Sequence, residues 1–343
     1  MSQPTTVRRR SATPKAALLI SAVLLLVLMV LSSPSDAATR SVTRVAGADR
    51  YATAAAISNR SFQPGVDIAY VASGATFPDA LAAGPVAALT RSPILLTLPY
   101  AVPNATVTEL QRLHPKAIDV LGGPASVSDD VVNALRTLTT GTVNRIAGAD
   151  RYATAALLSA SFTKTGGTLF IASGETFPDA LAASAVAAHL GVPLLLTTKS
   201  EFPESEGDAL ERLNPAHVYL VGGSSTISDD VVTQIPNITA GNPKIDRVAG
   251  ADRSATSALI AKIGYQSAAT VYVATGLDFP DALSGAPAAA VDGAPILLVT
   301  SICPPASVVQ AANDLGATST VVLGGTSSVD DRAAALQPCI PVD

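Results

Sequence analysis

Arginine, aspartate and glycine residues recur at matched positions in three copies along the 343-residue sequence. The phrase R-V-A-G-A-D-R-Y-A-T-A, at residues 44–54, returns with small changes at 145–155 and 247–257. A second phrase, F-P-D-A-L, stands at 77–81, 177–181 and 279–283, and a Gly pair at 122–123, 222–223 and 324–325. Arginine forms charge-assisted hydrogen bonds to anionic groups, and glycine N–H groups add further donors. The pattern predicts a polar groove in each copy that binds anionic ligand groups.

The candidate ligand-contacting residues are both arginines and the aspartate of the first phrase, together with the aspartate of the second. In the three copies they are Arg44, Asp49, Arg50, Asp79, Arg145, Asp150, Arg151, Asp179, Arg247, Asp252, Arg253 and Asp281. A structural interpretation of these residues stays open. Asp49 suits the cap of the helix that carries Tyr51, and Asp79 suits the positive end of its own helix. Arg50 could also pair with Asp79 inside the module.

No cofactor and no metal site are expected. The three histidines fall at unmatched positions in the copies, so no shared His-based catalysis or metal site follows from them. The acidic pairs at 129–130 and 229–230 are typical of the first turn of a helix. Neither a G-x-G-x-x-G run nor a lysine-bearing phosphate loop is present in the sequence, so nucleotide binding has little support.

The copies repeat every 101 to 102 residues, measured from Gly47 to Gly148 and from Gly148 to Gly250. This period is long enough for one small domain per copy. Strand patterns alternate with helix patterns, which predicts right-handed crossovers and a mainly parallel sheet. We predict three tandem doubly wound α/β modules at residues 44–143, 145–246 and 247–343. Whether the strand near residues 42–45 pairs with its own module or with a neighbour stays open.

A third phrase, P-I-L-L-T or a close variant, is too apolar for an exposed strand and favours packing in a core or between modules. Its apolar residues are Ile94, Leu95, Leu96, Leu194, Leu195, Leu196, Ile296, Leu297 and Leu298. Three matched copies suit a protein that holds a repetitive ligand, because an enzyme usually needs one asymmetric site. We therefore expect a non-enzymatic protein.

The first 37 residues are predicted to be a signal peptide, with a basic region, an apolar core at 16–31 and a small-residue cleavage site near Ala37. An uncleaved N-terminal anchor is the alternative, and it would be the only membrane contact. Cleavage removes four basic residues and one acidic residue, which changes the formal charge from −5 to −8. Such a chain is a poor candidate for binding nucleic acid, which needs a basic surface.

Both cysteines of the chain, Cys303 and Cys339, fall in the third copy. In an exported protein such a pair is most simply a disulfide that ties the C-terminal tail to the sheet. The chain-entropy account gives such a bridge ~3 to 4 kcal/mol of stabilisation. A metal or redox pair is the alternative, but neither a C-x-x-C spacing nor a nearby histidine supports it.

Together, D-R-Y-A-T-A, F-P-D-A-L-A, P-I-L-L-T and the strand ending in G-G resemble the bacterial cell wall-binding repeat type 2, from residue 44 to the C-terminus. The resemblance implies three modules closed into a pseudo-threefold ring, held by the apolar phrase, on a surface protein of a Gram-positive bacterium. It also implies non-covalent anchoring to an anionic secondary wall polymer through the Arg and Asp positions above. The third copy departs from the pattern with Ser254 and Thr275, so its site is expected to be weaker or different.

We therefore expect a secreted or wall-associated protein whose partner is a cell-wall polymer, with other wall proteins as further possible partners. The polymer is either an anionic secondary polymer or a glycan linked to peptidoglycan. Tyr51 and Tyr152 are the only repeated aromatic candidates for stacking on sugars, because the chain has no Trp. A peptidoglycan hydrolase, or a modifier of a wall hydrolase, is the competing hypothesis, since each copy carries carboxylates.

Overall fold

A computed structural model describes residues 40–338 of the chain. The predicted signal peptide, residues 1–37, and Cys339 of the predicted disulfide lie outside the described residues. The disulfide therefore stays a prediction.

In the first copy, strands and helices alternate as the sequence pattern predicts. They are β1 (Ser41–Val45), α1 (Arg50–Ser61), β2 (Ile68–Ser73), a 3-10 turn (Pro78–Ala80), α2 (Ala83–Leu89), β3 (Ile94–Thr97), α3 (Asn104–Leu113), β4 (Ala117–Leu121), α4 (Asp129–Leu135) and a second 3-10 turn (Arg136–Leu138).

The second and third copies repeat this order with a continuous helix in place of the first 3-10 turn and α2. The second has β5 (Thr142–Ile146), α5 (Arg151–Ser159), β6 (Thr168–Ser173), α6 (Pro178–Leu190), β7 (Leu194–Thr197), α7 (Glu204–Leu213), β8 (His217–Val221) and α8 (Asp229–Ile238). The third has β9 (Lys244–Val248), α9 (Arg253–Gly264), β10 (Thr270–Thr275), α10 (Pro280–Val291), β11 (Ile296–Val299), α11 (Ala306–Asp314), β12 (Ser319–Leu323) and α12 (Asp331–Ala334).

The strands form three separate four-stranded sheets, and every recorded strand pair is parallel. The strand orders are β3-β2-β4-β5, β7-β6-β8-β9 and β11-β10-β12-β1. Parallel neighbours need a crossover, and the helices between the strands supply it. The predicted fold class, tandem α/β modules with parallel sheets, is confirmed.

The first strand of each copy belongs to the sheet of another copy. β5 and β9 begin the second and third copies in sequence, yet they pair with β4 and β8 of the copy before. β1 has no preceding copy, and it pairs with β12 of the third, with Val45 opposite Leu323. The question left open by the sequence is therefore answered: the strand near residues 42–45 pairs with a neighbour, and it brings the two ends of residues 40–338 together.

The apolar strands β3, β7 and β11 are buried at every position. β3 contacts α10 of the third copy as well as its own helices, and β11 contacts α6 of the second copy. A strand covered by helices from two copies has no solvent face, which explains a run of Ile and Leu without alternation. The assignment of all nine residues to packing between modules stays a prediction.

The helices α2, α6 and α10 lie in mutual contact, so every copy touches both others. They are rich in alanine, and small residues let their backbones approach closely. A Cβ added to Gly84 would lie 2.2 Å from Ser184 Oγ and 3.0 Å from Ala286 Cβ. Phe77 precedes the first 3-10 turn, and Phe177 and Phe279 stand at the N-terminal ends of α6 and α10. The three rings pack edge to face with centroids 5.5 to 6.2 Å apart. These contacts support the pseudo-threefold ring, which stays a prediction.

We expect Gly84→Ala to destabilise the protein by ~1 to 3 kcal/mol, because the added methyl group overpacks the contact of three helices. Ser184→Ala in the same chain removes the nearest atom, so the double variant should recover part of that loss. Thermal unfolding of both single variants and the double variant measures the coupling. Gly167→Ala is the matched control, since a Cβ there meets nothing within 4 Å. Equal costs for Gly84→Ala with and without Ser184→Ala would contradict the packing.

Candidate functional site

The repeated polar phrases meet at the carboxyl ends of the parallel strands, where ligands of such sheets usually bind. In each sheet the F-P-D phrase follows the central strand β2, β6 or β10, and the Gly pair follows β4, β8 or β12. The A-G-A-D-R phrase follows β5, β9 or β1, which come from the next copy. The grooves therefore lie between copies, whereas the sequence predicts one groove within each copy.

Two of these junctions have a defined cavity. Groove 3/1 joins the third and first copies and has a volume of about 170 Å³. It is lined by Gly47, Ala48, Asp49, Arg50, Thr53, Thr275, Asp278, Pro280, Asp281, Gly325, Ser327 and Ser328. Groove 2/3 joins the second and third copies, has a volume of about 270 Å³ and is lined by Thr176, Pro178, Asp179, Gly223, Ser225, Thr226, Gly250, Ala251, Asp252, Arg253 and Thr256.

The third junction, groove 1/2, is defined by the equivalent residues Asp79 and Ser126 of the first copy and Arg151 and Thr154 of the second. Ser126 donates a hydrogen bond of 2.8 Å to Asp79 Oδ2, and Thr154 Oγ1 lies 3.2 Å from Asp79 Oδ1. Asp79 is thus bound by hydroxyl groups from both copies. The alternative pairing of Arg50 with Asp79 is not what the structure shows, because Arg50 contacts Asp278 instead.

The first arginine of each phrase fixes the junction. Arg145 Nη1 donates to the carbonyl oxygens of Gly122 at 2.7 Å and Val127 at 2.9 Å, and its Nη2 lies 2.9 Å from Asp129 Oδ1. Arg247 makes the three equivalent contacts to residues of the second copy, and Arg44 makes them to residues of the third. These donors are occupied within the protein, so the observed role of the three arginines is structural, and contact with a ligand stays a prediction.

The partners of this first arginine could be only partly foreseen. Asp129 and Asp229 stand in the first turns of α4 and α8, as predicted, and Asp331 does so in α12. Each carboxylate also receives a guanidinium from the next copy in the cyclic order. One sequence signal indicated this pairing: the arginine and the acidic residue recur at matched positions in all three copies.

The aspartate of the first phrase caps a helix in every copy. Asp49 Oδ1 accepts a hydrogen bond of 2.8 Å from the backbone N–H of Ala52 at the start of α1. Asp150 and Asp252 do the same for α5 and α9, each at 2.8 Å. A cap of this type stabilises a helix by ~1 kcal/mol. The structural interpretation accounts for these aspartates, and their predicted contact with a ligand is untested.

The second arginine reaches into the groove and across the junction. Arg50 Nη1 donates to the Gly74 carbonyl at 2.7 Å, and its guanidinium lies over the Phe279 ring of the third copy at 5.7 Å. Arg151 donates to the Gly174 carbonyl at 2.6 Å and lies 5.9 Å from the Phe77 centroid. Arg253 donates to the Gly276 carbonyl. Each guanidinium group therefore donates to a backbone carbonyl of its own copy, while its charge remains beside the groove.

The aspartates of the second phrase lie at the floor of the grooves. Burial, together with the charge of Asp278, raises the pKa of Asp281 to about 6, against the opposing effect of Arg50. Burial also raises the pKa of Asp179, against Arg253 and a hydrogen bond from Thr256. Both carboxyl groups hold their protons more tightly than exposed ones, and for Asp281 this reduces the negative charge of groove 3/1 at pH values near and below 6.

The first residue of each Gly pair must be glycine because it lies against the aspartate at the floor of the groove. Gly122 and Gly324 have φ of +99° and +103°, in the left-handed region that favours glycine. A Cβ added to Gly324 would lie 2.3 Å from Asp281 Oδ2, and one added to Gly122 would lie 2.4 Å from Asp79 Oδ2. Backbone conformation and the close approach of the carboxylate both exclude a side chain there.

Tyr51 and Tyr152 serve packing in this structure. A Cβ added to Gly74 would lie 2.5 Å from Tyr51 Cε1, and Gly174 stands in the same relation to Tyr152. Both rings are only half-buried, and burial is the largest cause of the raised pKa of each hydroxyl. In the third copy the corresponding Ser254 is buried, and the Arg253 side chain lies against Gly276. The departure of the third copy at Ser254 therefore replaces a half-buried tyrosine beside the strand-end glycine with a buried serine.

Among residues 40–338, no group of three or more His, Cys, Asp or Glu side chains is placed to hold a metal ion. No helix in that range has both the length and the apolar character needed to cross a membrane. A separate cavity of about 240 Å³, lined by Leu110, His114 and Leu138 among others, contains none of the repeated charged residues.

The fold and the grooves define an α/β repeat protein with a polar groove repeated at the junctions of its copies. The sequence matches the family model of the cell wall binding domain 2 (CWB2) at residues 44–132, 145–232 and 247–334. These matches cover most of the chain, and the chain belongs to this family. The resemblance identified from the repeated phrases is confirmed.

Solved structures with the same architecture include two proteins from Clostridium difficile. Cwp6 superposes with a TM-score of 0.79 at 27% identity, over 88% of this chain and 48% of that one. Cwp8 superposes with a TM-score of 0.78 at 27% identity, over 93% of this chain and 54% of that one.

Two curated relatives come from Bacillus subtilis (strain 168). The N-acetylmuramoyl-L-alanine amidase LytC is 30% identical over 262 residues, which are 76% of this chain and 51% of LytC. The amidase enhancer is 32% identical over 289 residues, which are 83% of this chain and 38% of the enhancer. The chain thus spans about half or less of the length of these relatives.

We expect Asp281→Asn to flatten the dependence of stability on pH. The folded-state pKa of about 6 lies above the ordinary value of 3.8. Proton binding therefore contributes stability fully below about pH 4, and that contribution is lost as the pH rises through 6. The asparagine variant should be more stable than the unaltered protein by roughly 1 to 3 kcal/mol at pH 7, at 1.36 kcal/mol per pKa unit, and no more stable at pH 4.

Urea unfolding at pH 4, 5, 6 and 7 measures this difference. Asp208→Asn, at an exposed position, controls for the loss of one carboxylate elsewhere. The groups that face Asp281 are Arg50 and Asp278, with Asp49 on the opposite wall of groove 3/1. A difference between variant and unaltered protein that stays constant over the series would contradict the assignment.

Proposed function

We propose that this chain binds a cell-wall polymer non-covalently through the grooves at its module junctions, and that it does so without catalysing a reaction. Membership of the CWB2 family supports wall binding as the coarse function. The single observation that carries the finer proposal is the repeated convergence of an arginine, a floor carboxyl and hydroxyl groups at the junctions. We further propose that the protein is exported and acts at the cell surface.

A set of similar weak sites suits a long repetitive ligand. A polymer that already occupies one groove presents its next units at a high local concentration to the others. This effect can raise overall affinity by 10² to 10⁴, provided that the polymer spans the sites. An enzyme gains nothing comparable from three similar grooves. Among their carboxylates, Asp49 caps a helix, Asp79 accepts a hydrogen bond from Ser126, and Asp278 pairs with Arg50.

The chemistry of the grooves favours a ligand with anionic groups. Arg151 and Arg253 carry charge beside their grooves, and within residues 40–338 neither forms an ion pair. The chain as a whole carries a formal charge of −5, which repels a polyanion at long range. Binding is therefore a local effect of these arginines, and added salt should weaken it.

We expect the purified protein to sediment with Gram-positive walls, and to lose this binding when acid strips the secondary polymers from them. Arg151→Gln with Arg253→Gln should weaken sedimentation by tenfold or more, since hydrogen bonds to charged groups contribute ~1.5 to 3 kcal/mol each. The matched control is Arg91→Gln with Arg136→Gln, which removes the same charge outside the grooves. Undiminished binding to stripped peptidoglycan would contradict an anionic polymer as the ligand.

A role in wall hydrolysis is the second candidate, and the relatives favour it by name. One is an amidase and another is an amidase enhancer, although this chain covers only 51% and 38% of them. Dye-labelled walls separate the two candidates. Pull-down of walls without release of dye supports binding alone. Release of dye by this protein supports catalysis, and faster release only when an amidase is added supports enhancement.

A further inference from the structure

The three junction grooves differ at several positions, and one of these is the residue immediately before the repeated phenylalanine. It is Thr76 in the first copy, Thr176 in the second and Asp278 in the third. All three side chains are exposed at the mouth of their groove, so the substitution is not forced by packing. A charged residue therefore stands in groove 3/1 where the other two junctions have a hydroxyl.

Asp278 meets the arginine of groove 3/1 directly. Its Oδ2 lies 3.2 Å from Arg50 Nη2, while Arg50 Nη1 keeps the bond to the Gly74 carbonyl that Arg151 and Arg253 also make to their own copies. The outer nitrogen of Arg50 thus has a carboxylate partner. Arg151 and Arg253 form no ion pair in the described part of the chain.

We propose that Asp278 takes, in groove 3/1, the place that an anionic group of the wall polymer takes beside Arg151 and Arg253. The chain then binds anionic groups at two of its three junctions, and Asp278 is the residue that decides this number. The inference rests on the proposed function, because it assigns the ligand chemistry of the same grooves. The ligand class is a polymer that carries phosphate or carboxylate groups.

The exposed ion pair alone does not exclude a ligand. The Arg50 and Asp278 side chains are 36% and 51% exposed, and breaking an ion pair of this kind costs little free energy. An anionic group could displace Asp278 at that cost, but it would still face the displaced carboxylate a few ångströms away. Asp281 lies below, and its raised pKa reflects the charge of Asp278 in addition to its burial. Repulsion by Asp278 is thus the larger obstacle.

Groove 2/3 lacks this obstacle. Thr176 stands at its mouth and Asp179 at its floor, together with Arg253 and the hydroxyl of Thr256. An anion beside the guanidinium of Arg253 would meet neutral hydroxyl donors at the mouth, and a floor carboxyl whose pKa is raised by burial. Charge-assisted bonds from arginine and hydroxyl donors are the usual means of binding phosphate groups.

The test uses two reciprocal substitutions that exchange the residues found in the chain itself. Asp278→Thr gives groove 3/1 the residue of the other junctions, and Thr176→Asp gives groove 2/3 the residue of groove 3/1. The probe is a dimer of glycerol phosphate, with chitobiose as the uncharged control. Binding is followed at each site by NMR of the Nε–H groups of ¹⁵N-arginine-labelled protein, with signals assigned by single Arg→Lys variants.

We expect the phosphate dimer to shift the Nε–H signals of Arg151 and Arg253 in the unaltered protein, and to leave that of Arg50 unchanged. In Asp278→Thr the Arg50 signal should shift as well, with a dissociation constant within about tenfold of the other two. In Thr176→Asp the Arg253 signal should stop responding. The double variant should respond at Arg50 and Arg151. A response at these two arginines would show that the double variant is folded and that the loss at Arg253 is local.

The outcomes separate this inference from the proposed function. A shift of Arg50 in the unaltered protein, or an unchanged response in either single variant, overturns the inference. If all three arginines respond to chitobiose and none responds to the phosphate dimer, the inference is overturned and the grooves bind neutral sugars instead. If the same protein still sediments with walls in these cases, the proposed function stands. Absence of sedimentation would remove the proposed function itself.

Discussion

The structure depends on one exchange: the first strand of every copy completes the sheet of another copy. The guanidinium group of Arg44, Arg145 or Arg247 fixes each exchanged strand to a Gly-pair turn and to the first turn of the following helix. Because β1 joins β12, the exchange also ties the beginning of the described range to its end. No copy has a complete four-stranded sheet from its own sequence alone, so each sheet depends on a strand from another copy.

This exchange determines where function can reside. In a single copy the A-G-A-D-R phrase and the F-P-D phrase follow strands of different sheets, and they come together only across a junction. The helices α2, α6 and α10 pack together at the centre, next to the contact of the three phenylalanine rings, and so connect the three junctions. Similar grooves that folding has already placed relative to one another suit a repetitive polymer, because binding then does not have to pay the entropy of ordering them.

Much of this could be predicted from the sequence because the repeats are explicit. The α/β alternation, the parallel sheets and the burial of residues 94–97 follow from patterns that local physics controls. The roles of the site residues were harder to predict, because Arg44 and Arg50 are both arginines within one repeated phrase. Only the register of β1 shows that Arg44 lies against Gly324, whereas Arg50 reaches the groove. Strand exchange between copies leaves no local signal, because the residues of β5 do not indicate which sheet the strand joins.

The central claim is that residues from one copy stabilise the sheet of another, and hydrogen exchange tests it most directly. Arg44→Gln removes the guanidinium that β1 places against Gly324, Val329 and Asp331. Mass spectrometry of amide exchange on the variant and the unaltered protein reports where protection is lost. The account predicts faster exchange in residues 319–335 of the third copy, with residues 68–97 of the first copy unaffected. Loss of protection confined to residues 68–97 would contradict it.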